Sequence, residues 1–150
     1  MQTWQHDFVV TYSIFGFLFG LKGWYESTRK KNPYGQYFWL NLWGAFVWAD
    51  AAILCLFWAV AGFFVLYSNS WNLFLLIFSV FWLIRSLGET LYWFLTQFTN
   101  LNKDPAEKFL LNKYFPGGAV FFINQMLWQC VSIVALISTI YFAHEWLKGI

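Results

Sequence analysis

Residues 71–96 stay apolar long enough to cross a lipid bilayer, yet they carry Arg85 and Glu89 one helical turn apart. No other feature constrains the fold as tightly. A hydrocarbon core about 30 Å thick takes about 20 residues of helix. With no water there, each backbone N–H and C=O must find its partner inside the segment. Only an α-helix does that for a single run. Charges at that depth are costly, so they face protein or water and have partners.

Three further runs have the same character, at about 8–25, 37–67 and 119–147. The 150-residue chain is 60% hydrophobic and only 11% charged. A soluble domain carries about 25% charged residues. Nothing outside the four runs is long enough to form one. The expectation is a single all-α transmembrane domain over residues 1–150, with four membrane helices in an antiparallel bundle. The 37–67 run is long for one span and too short for two. It should tilt, or its 37–44 portion should protrude from the core. The loop at 68–70 is short enough to make the second and third helices an antiparallel hairpin. Residues 1–7 hold no Lys or Arg, so the first run lacks the basic start of a secretory signal and reads as a permanent helix.

Charge placement sets the expected orientation. Arg29, Lys30 and Lys31 follow the first run, with Lys22 just inside it. Lys103, Lys108 and Lys113 follow the third, and the opposite side has only Lys148. Cytoplasmic loops attract Lys and Arg, so both basic loops should lie inside and both termini outside. A bacterial inner membrane is the default, and an organelle membrane obeys the same rule. Trp4, Trp71 and Trp146 would sit at the outer interface, and Trp24, Trp39 and Trp93 near the inner one. The net charge of +2 is too small and local to suggest nucleic acid.

Between the third and fourth runs, Asp104 and Glu107 have the spacing of a capping box around Pro105. A short in-plane cytoplasmic helix should run over 105–114, with Lys108 and Lys113 toward headgroups.

Counting inward from 68–70 puts Asp50 and Glu89 at one level, with Arg85 a turn away. If the faces match, the Arg85 fork can bridge both carboxylates. Asn124, Gln125 and Gln129 on the fourth run would be expensive against lipid and should face the same region. These six residues are the candidate binding or conduction site. A structural ion-pair network is the competing reading of the same residues, and a contact that docks another subunit is the third. Gly16 and Gly20 form a GxxxG pair extended by Gly23, a spacing that allows close helix approach within the chain or between copies.

His6 and His144 near the outer ends do not suffice for a metal or haem site, and no cofactor is expected. Cys55 and Cys130 read as buried thiols. No nucleophile motif, phosphate loop or zinc-protease motif is present. The composition favours a non-enzymatic membrane subunit, surrounded by lipid, that assembles with copies of itself or other membrane chains. A small ion, proton or solute channel or carrier is the leading rival, and an enzyme acting on a lipid is third.

Overall fold

The computed structural model describes residues 1–99, 114 and 118–149. Among the described residues there are four α-helices: α1 Thr3–Thr28, α2 Trp48–Ser68, α3 Trp71–Phe98 and α4 Ala119–Leu147. A 3-10 helix, Phe38–Trp43, lies between α1 and α2. All four α-helices are long and apolar enough to cross a membrane, and such a chain is a multi-pass membrane protein. The in-plane helix expected over 105–114 falls outside the described residues, apart from Tyr114. The chain forms two compact units, one of Met1–Ile77 with Glu145–Ile150 and one of Phe78–His144.

In the first unit α1 and α2 pack antiparallel through small residues. A Cβ on Gly16 would come 3.0 Å from the Cys55 carbonyl oxygen. A Cβ on Gly20 would come 2.7 Å from Leu56 Cγ, and one on Gly23 2.7 Å from Ala52 N and 2.8 Å from the Trp48 carbonyl oxygen. From the other side, a Cβ on Gly62 of α2 would collide with Ser13 Oγ. Close backbone approach of this kind gains dispersion contacts that lipid tails cannot match, which is why small residues collect at membrane helix interfaces.

Aromatic side chains fill the rest of this unit. Trp71 and Phe74, at the start of α3, pack against Trp4, Phe8 and Tyr12 of α1. Trp58 of α2 meets both Tyr12 and Phe74. The α2–α3 turn holds Asn69 in the left-handed region, at φ 49°. The terminal ammonium of Met1 donates to the Asn69 carbonyl and side-chain oxygens, each at 3.2 Å. That anchors the start of α1 to the turn.

α2 begins at Trp48, not near residue 37 as the apolar run suggests. Residues 37–47 neither extend the helix nor protrude from it. They fold back along α1. The break has two local causes. Gly44 sits at φ 69°, a left-handed conformation that ends the 3-10 helix and that glycine adopts without steric cost. In addition, the carbonyls of Pro33 and Gly35 accept the Ala49 and Trp48 N–H groups, at 3.0 and 3.1 Å. These loop carbonyls take donors that a helix start leaves without intrahelical partners, so α2 is complete at Trp48.

In the second unit α3 and α4 run antiparallel. Ser132 Oγ donates to Ser86 Oγ at 2.9 Å, Gln97 Nε2 donates to Gln125 Oε1 at 2.6 Å, and Trp93 stacks on Phe121 at 6.0 Å.

Candidate functional site

The folded-back segment is the most distinctive site on the chain, because it places non-helical backbone beside the middle of a membrane-spanning helix. An isolated bridge pairs Gln36 with Val47, closing a hairpin whose tip carries the 3-10 helix. Trp43 near the tip lies against Gly16, where a Cβ would come 3.1 Å from its Nε1. Gly16 is 28 − 16 = 12 residues from the end of α1. At 1.5 Å per residue the tip reaches back about 18 Å along α1 from its end.

Two reciprocal hydrogen bonds hold the tip to α1. Tyr12 Oη donates to the Leu42 carbonyl at 2.7 Å, and Trp43 Nε1 donates to the Tyr12 carbonyl at 3.3 Å. The Trp43 ring also stacks on Tyr12 at 5.2 Å and tilts against Phe19 at 5.1 Å. The segment closes many of its own backbone bonds: Leu40 N–H to Tyr37 O, Gly44 N–H to Asn41 O, and Ala45 N–H to Leu40 O. Such satisfaction is the condition for irregular backbone at membrane depth.

With three residues per turn, the 3-10 helix shows three distinct faces. Leu40 and Trp43 point inward and are buried. Trp39 and Leu42 join Phe15, Phe19 and Trp43 around an apolar groove of about 380 Å³. Phe38 and Asn41 join Gln36, Tyr37 and Phe46 around a more polar cavity of about 450 Å³. Phe38, Asn41 and Gln36 are exposed there.

Asp50 belongs to this hairpin. It lies in the first turn of α2, where its Oδ2 accepts the Phe46 N–H at 3.2 Å. A carboxylate in a first turn is favoured by the helix dipole, and here it also ties down the N–H of Phe46, the residue before the Val47 cap. An unbroken helix over the whole run puts Asp50 in the cytoplasmic half of a span, partway along that helix. The start at Trp48 moves it to a helix end.

The other five candidates are in the second unit. Arg85 Nη1 and Glu89 Oε1 pair at 3.0 Å across one turn of α3, both side chains largely buried. Gln125 is buried and bonded to Gln97. Asn124 Nδ2 donates to the Val120 carbonyl of its own helix at 2.9 Å. Gln129 is half-buried one turn from Gln125.

His6 lies beside Asp7, with 3.6 Å between Nδ1 and Oδ1, and both are exposed. Cys55 is buried, whereas Cys130 is exposed. Among the described residues no three of His, Cys, Asp and Glu gather as a metal ion would require.

Several of these positions escape a reading by charge and amide alone. Tyr12, Leu42 and Trp43 look like ordinary apolar residues of long runs. Ser86 and Gln97 on α3 had a usable signal. They are 97 − 86 = 11 residues apart, about three full turns, so they share one face. Ser132 and Gln125 share a face at a spacing of seven. The chain matches no protein-family model, and no curated protein or solved structure resembles it.

Proposed function

We propose that this chain is a non-enzymatic membrane subunit that assembles through its hairpin with copies of itself or with other membrane chains. One observation carries the reading: the 3-10 helix presents Asn41, beside Gln36 and Phe38, on an exposed face far from the ends of α1. Side-chain amides facing hydrocarbon are expensive, and irregular backbone at that depth is tolerated where protein or a water-filled cavity covers it. A partner helix supplying small or polar residues would provide that cover. In this reading the four helices form one bundle, the basic loops lie in the cytoplasm, both termini lie outside, and an in-plane helix follows α3. A bacterial inner membrane is the default setting.

A photo-crosslinking side chain placed at Asn41, in the native membrane, tests the docking face. The expected result is a protein adduct of fixed mass from Asn41, and none from the exposed Ile53 of α2. A chain extracted as a monomer, with no protein adduct from Asn41, would overturn the proposal.

A second reading is favoured by the Arg85–Glu89 pair, since charge within a spanning helix often marks a solute or proton path. In that reading the chain is a small channel or carrier, and Asn124, Gln125 and Gln129 line its path. Flux through purified protein in vesicles that falls on Glu89→Gln supports it. Absence of flux in the wild type excludes it.

A further inference from the structure

The apolar groove beside the hairpin has a cation at one end. Phe15, Phe19 and Lys22 fall at i, i+4 and i+7 on one face of α1. Phe15 and Phe19 line the groove with Trp39, Leu42 and Trp43, and almost nothing polar faces into it. Lys22 lies one turn nearer the end of α1. Its ammonium stands 5.0 Å from the centre of the Trp48 ring and 5.4 Å from that of Tyr37. Those two rings stack at 5.8 Å, and Tyr37 touches Phe19 at 6.2 Å. The aromatic surface is thus continuous from the ammonium to the groove.

Among the described residues no carboxylate pairs with Lys22, whereas Lys30 holds Glu26 at 2.7 Å and Lys148 holds Glu145 at 3.0 Å. Lys22 is also exposed. The two rings attract the cation without neutralising it. The 26-residue α1 spans about 39 Å and overhangs a core about 30 Å thick. Lys22 is 28 − 22 = 6 residues from the end, so it sits just below the headgroup level and can snorkel to it.

We propose that this groove binds one anionic phospholipid, with an acyl chain between Phe15, Phe19 and Leu42 and the headgroup phosphate on Lys22. Charge and shape commit the occupant. A hydrocarbon tail fits the dry aromatic walls, and the unpaired ammonium at the headgroup level selects a negative head over a zwitterionic one. The site is separate from the Phe38–Asn41 face, so its failure leaves the subunit proposal standing, and the reverse also holds.

The test is lipid titration of the full chain in detergent, read by native mass spectrometry, with phosphatidylglycerol against phosphatidylcholine of the same tails. The wild type is expected to retain one phosphatidylglycerol in preference. A lysine near a headgroup contributes enough for about a fivefold preference. Lys22→Gln should abolish that preference, and Lys22→Arg should keep it. Leu42→Trp, which fills the groove from an exposed position, should lower retention of both lipids. Circular dichroism and elution volume show that each variant is folded. Equal retention of the two lipids by the wild type would overturn the proposal. A preference that survives Lys22→Gln, or full retention by folded Leu42→Trp, would do the same.

Discussion

Replacing glycines of α1 by alanine, one at a time, should give costs that follow what each new methyl meets. At Gly23 the methyl would press on the first turn of α2, 2.7 Å from Ala52 N and 2.8 Å from the Trp48 carbonyl oxygen, with Ala51 Cβ at 3.0 Å. None of these can swing away, so the helices must separate or shift. Overpacking of that kind costs about 1–3 kcal/mol, and rigid neighbours argue for the upper end. Alanine gains about 1 kcal/mol over glycine in helix propensity. The net loss at Gly23 is therefore about 2 kcal/mol. At Gly20 the nearest atoms are Cδ2 and Cγ of Leu56, both at 2.7 Å, on a side chain that can rotate, and the Leu56 backbone N stands farther off at 3.2 Å. An off-rotamer leucine costs about 0.5–1.5 kcal/mol and the 3.2 Å backbone contact needs only a small shift, so Gly20→Ala should cost less than Gly23→Ala. Gly88 on α3 has nothing within 4 Å of a built Cβ and calibrates the propensity gain alone. Unfolding by sodium dodecyl sulfate from mild detergent, followed by circular dichroism, measures all three. If Gly23→Ala is as stable as Gly20→Ala, rigid backbone contact between α1 and α2 is not what limits that interface.

The hairpin and the second helix pair give further expectations. Tyr12→Phe deletes the donor to the Leu42 carbonyl and should cost about 1 kcal/mol. It should also raise hydrogen exchange across 40–45 without changing total helix content. Asp50→Ala removes the acceptor for the Phe46 N–H and a favourable first-turn charge. The loss should be about 1–2 kcal/mol, with Asp50→Asn in between, measured in the same unfolding assay. Gln125→Leu takes the acceptor from Gln97 and should cost about 0.5–2 kcal/mol, because membrane hydrogen bonds are worth little more than those in water. Lys30, just beyond α1, has its pKa raised by a hydrogen bond from its ammonium to Glu26 and by that carboxylate's charge. Its ion-pair contribution is complete below the ordinary lysine range and fades as pH climbs through the raised value. Glu26→Gln should move the Lys30 titration, followed by NMR of ¹⁵N-labelled lysine, back toward that range.

Helix number and membrane character follow from run length alone. About 20 apolar residues in sequence have few other stable fates, and hydrocarbon forces each such run to satisfy its own backbone. The glycines at 16, 20 and 23 are equally legible as a close-packing face, because a 3.6-residue period brings them to one side. What they pack against is not legible: α2 with its helix-start turn on Gly23, and the Trp43 ring on Gly16. The apolar run over 37–67 shows the limit most clearly. Asn41 and Gly44 interrupt the run, and a glycine there is a turn signal, but neither fixes Trp48 as the residue where the helix begins. The start at Trp48 depends on Pro33 and Gly35 carbonyls folding back onto the α2 terminus, on Gly44 turning left-handed, and on Tyr12 and Trp43 trading hydrogen bonds across α1. Asp50 then changes meaning without changing position, from a charge partway along the cytoplasmic half of an expected span to a carboxylate that accepts a backbone N–H at a helix start. Local composition decides which residues enter the membrane. Long-range hydrogen bonds and close packing decide which of them are helix once there, because two backbone solutions of similar apolarity differ only in what they touch.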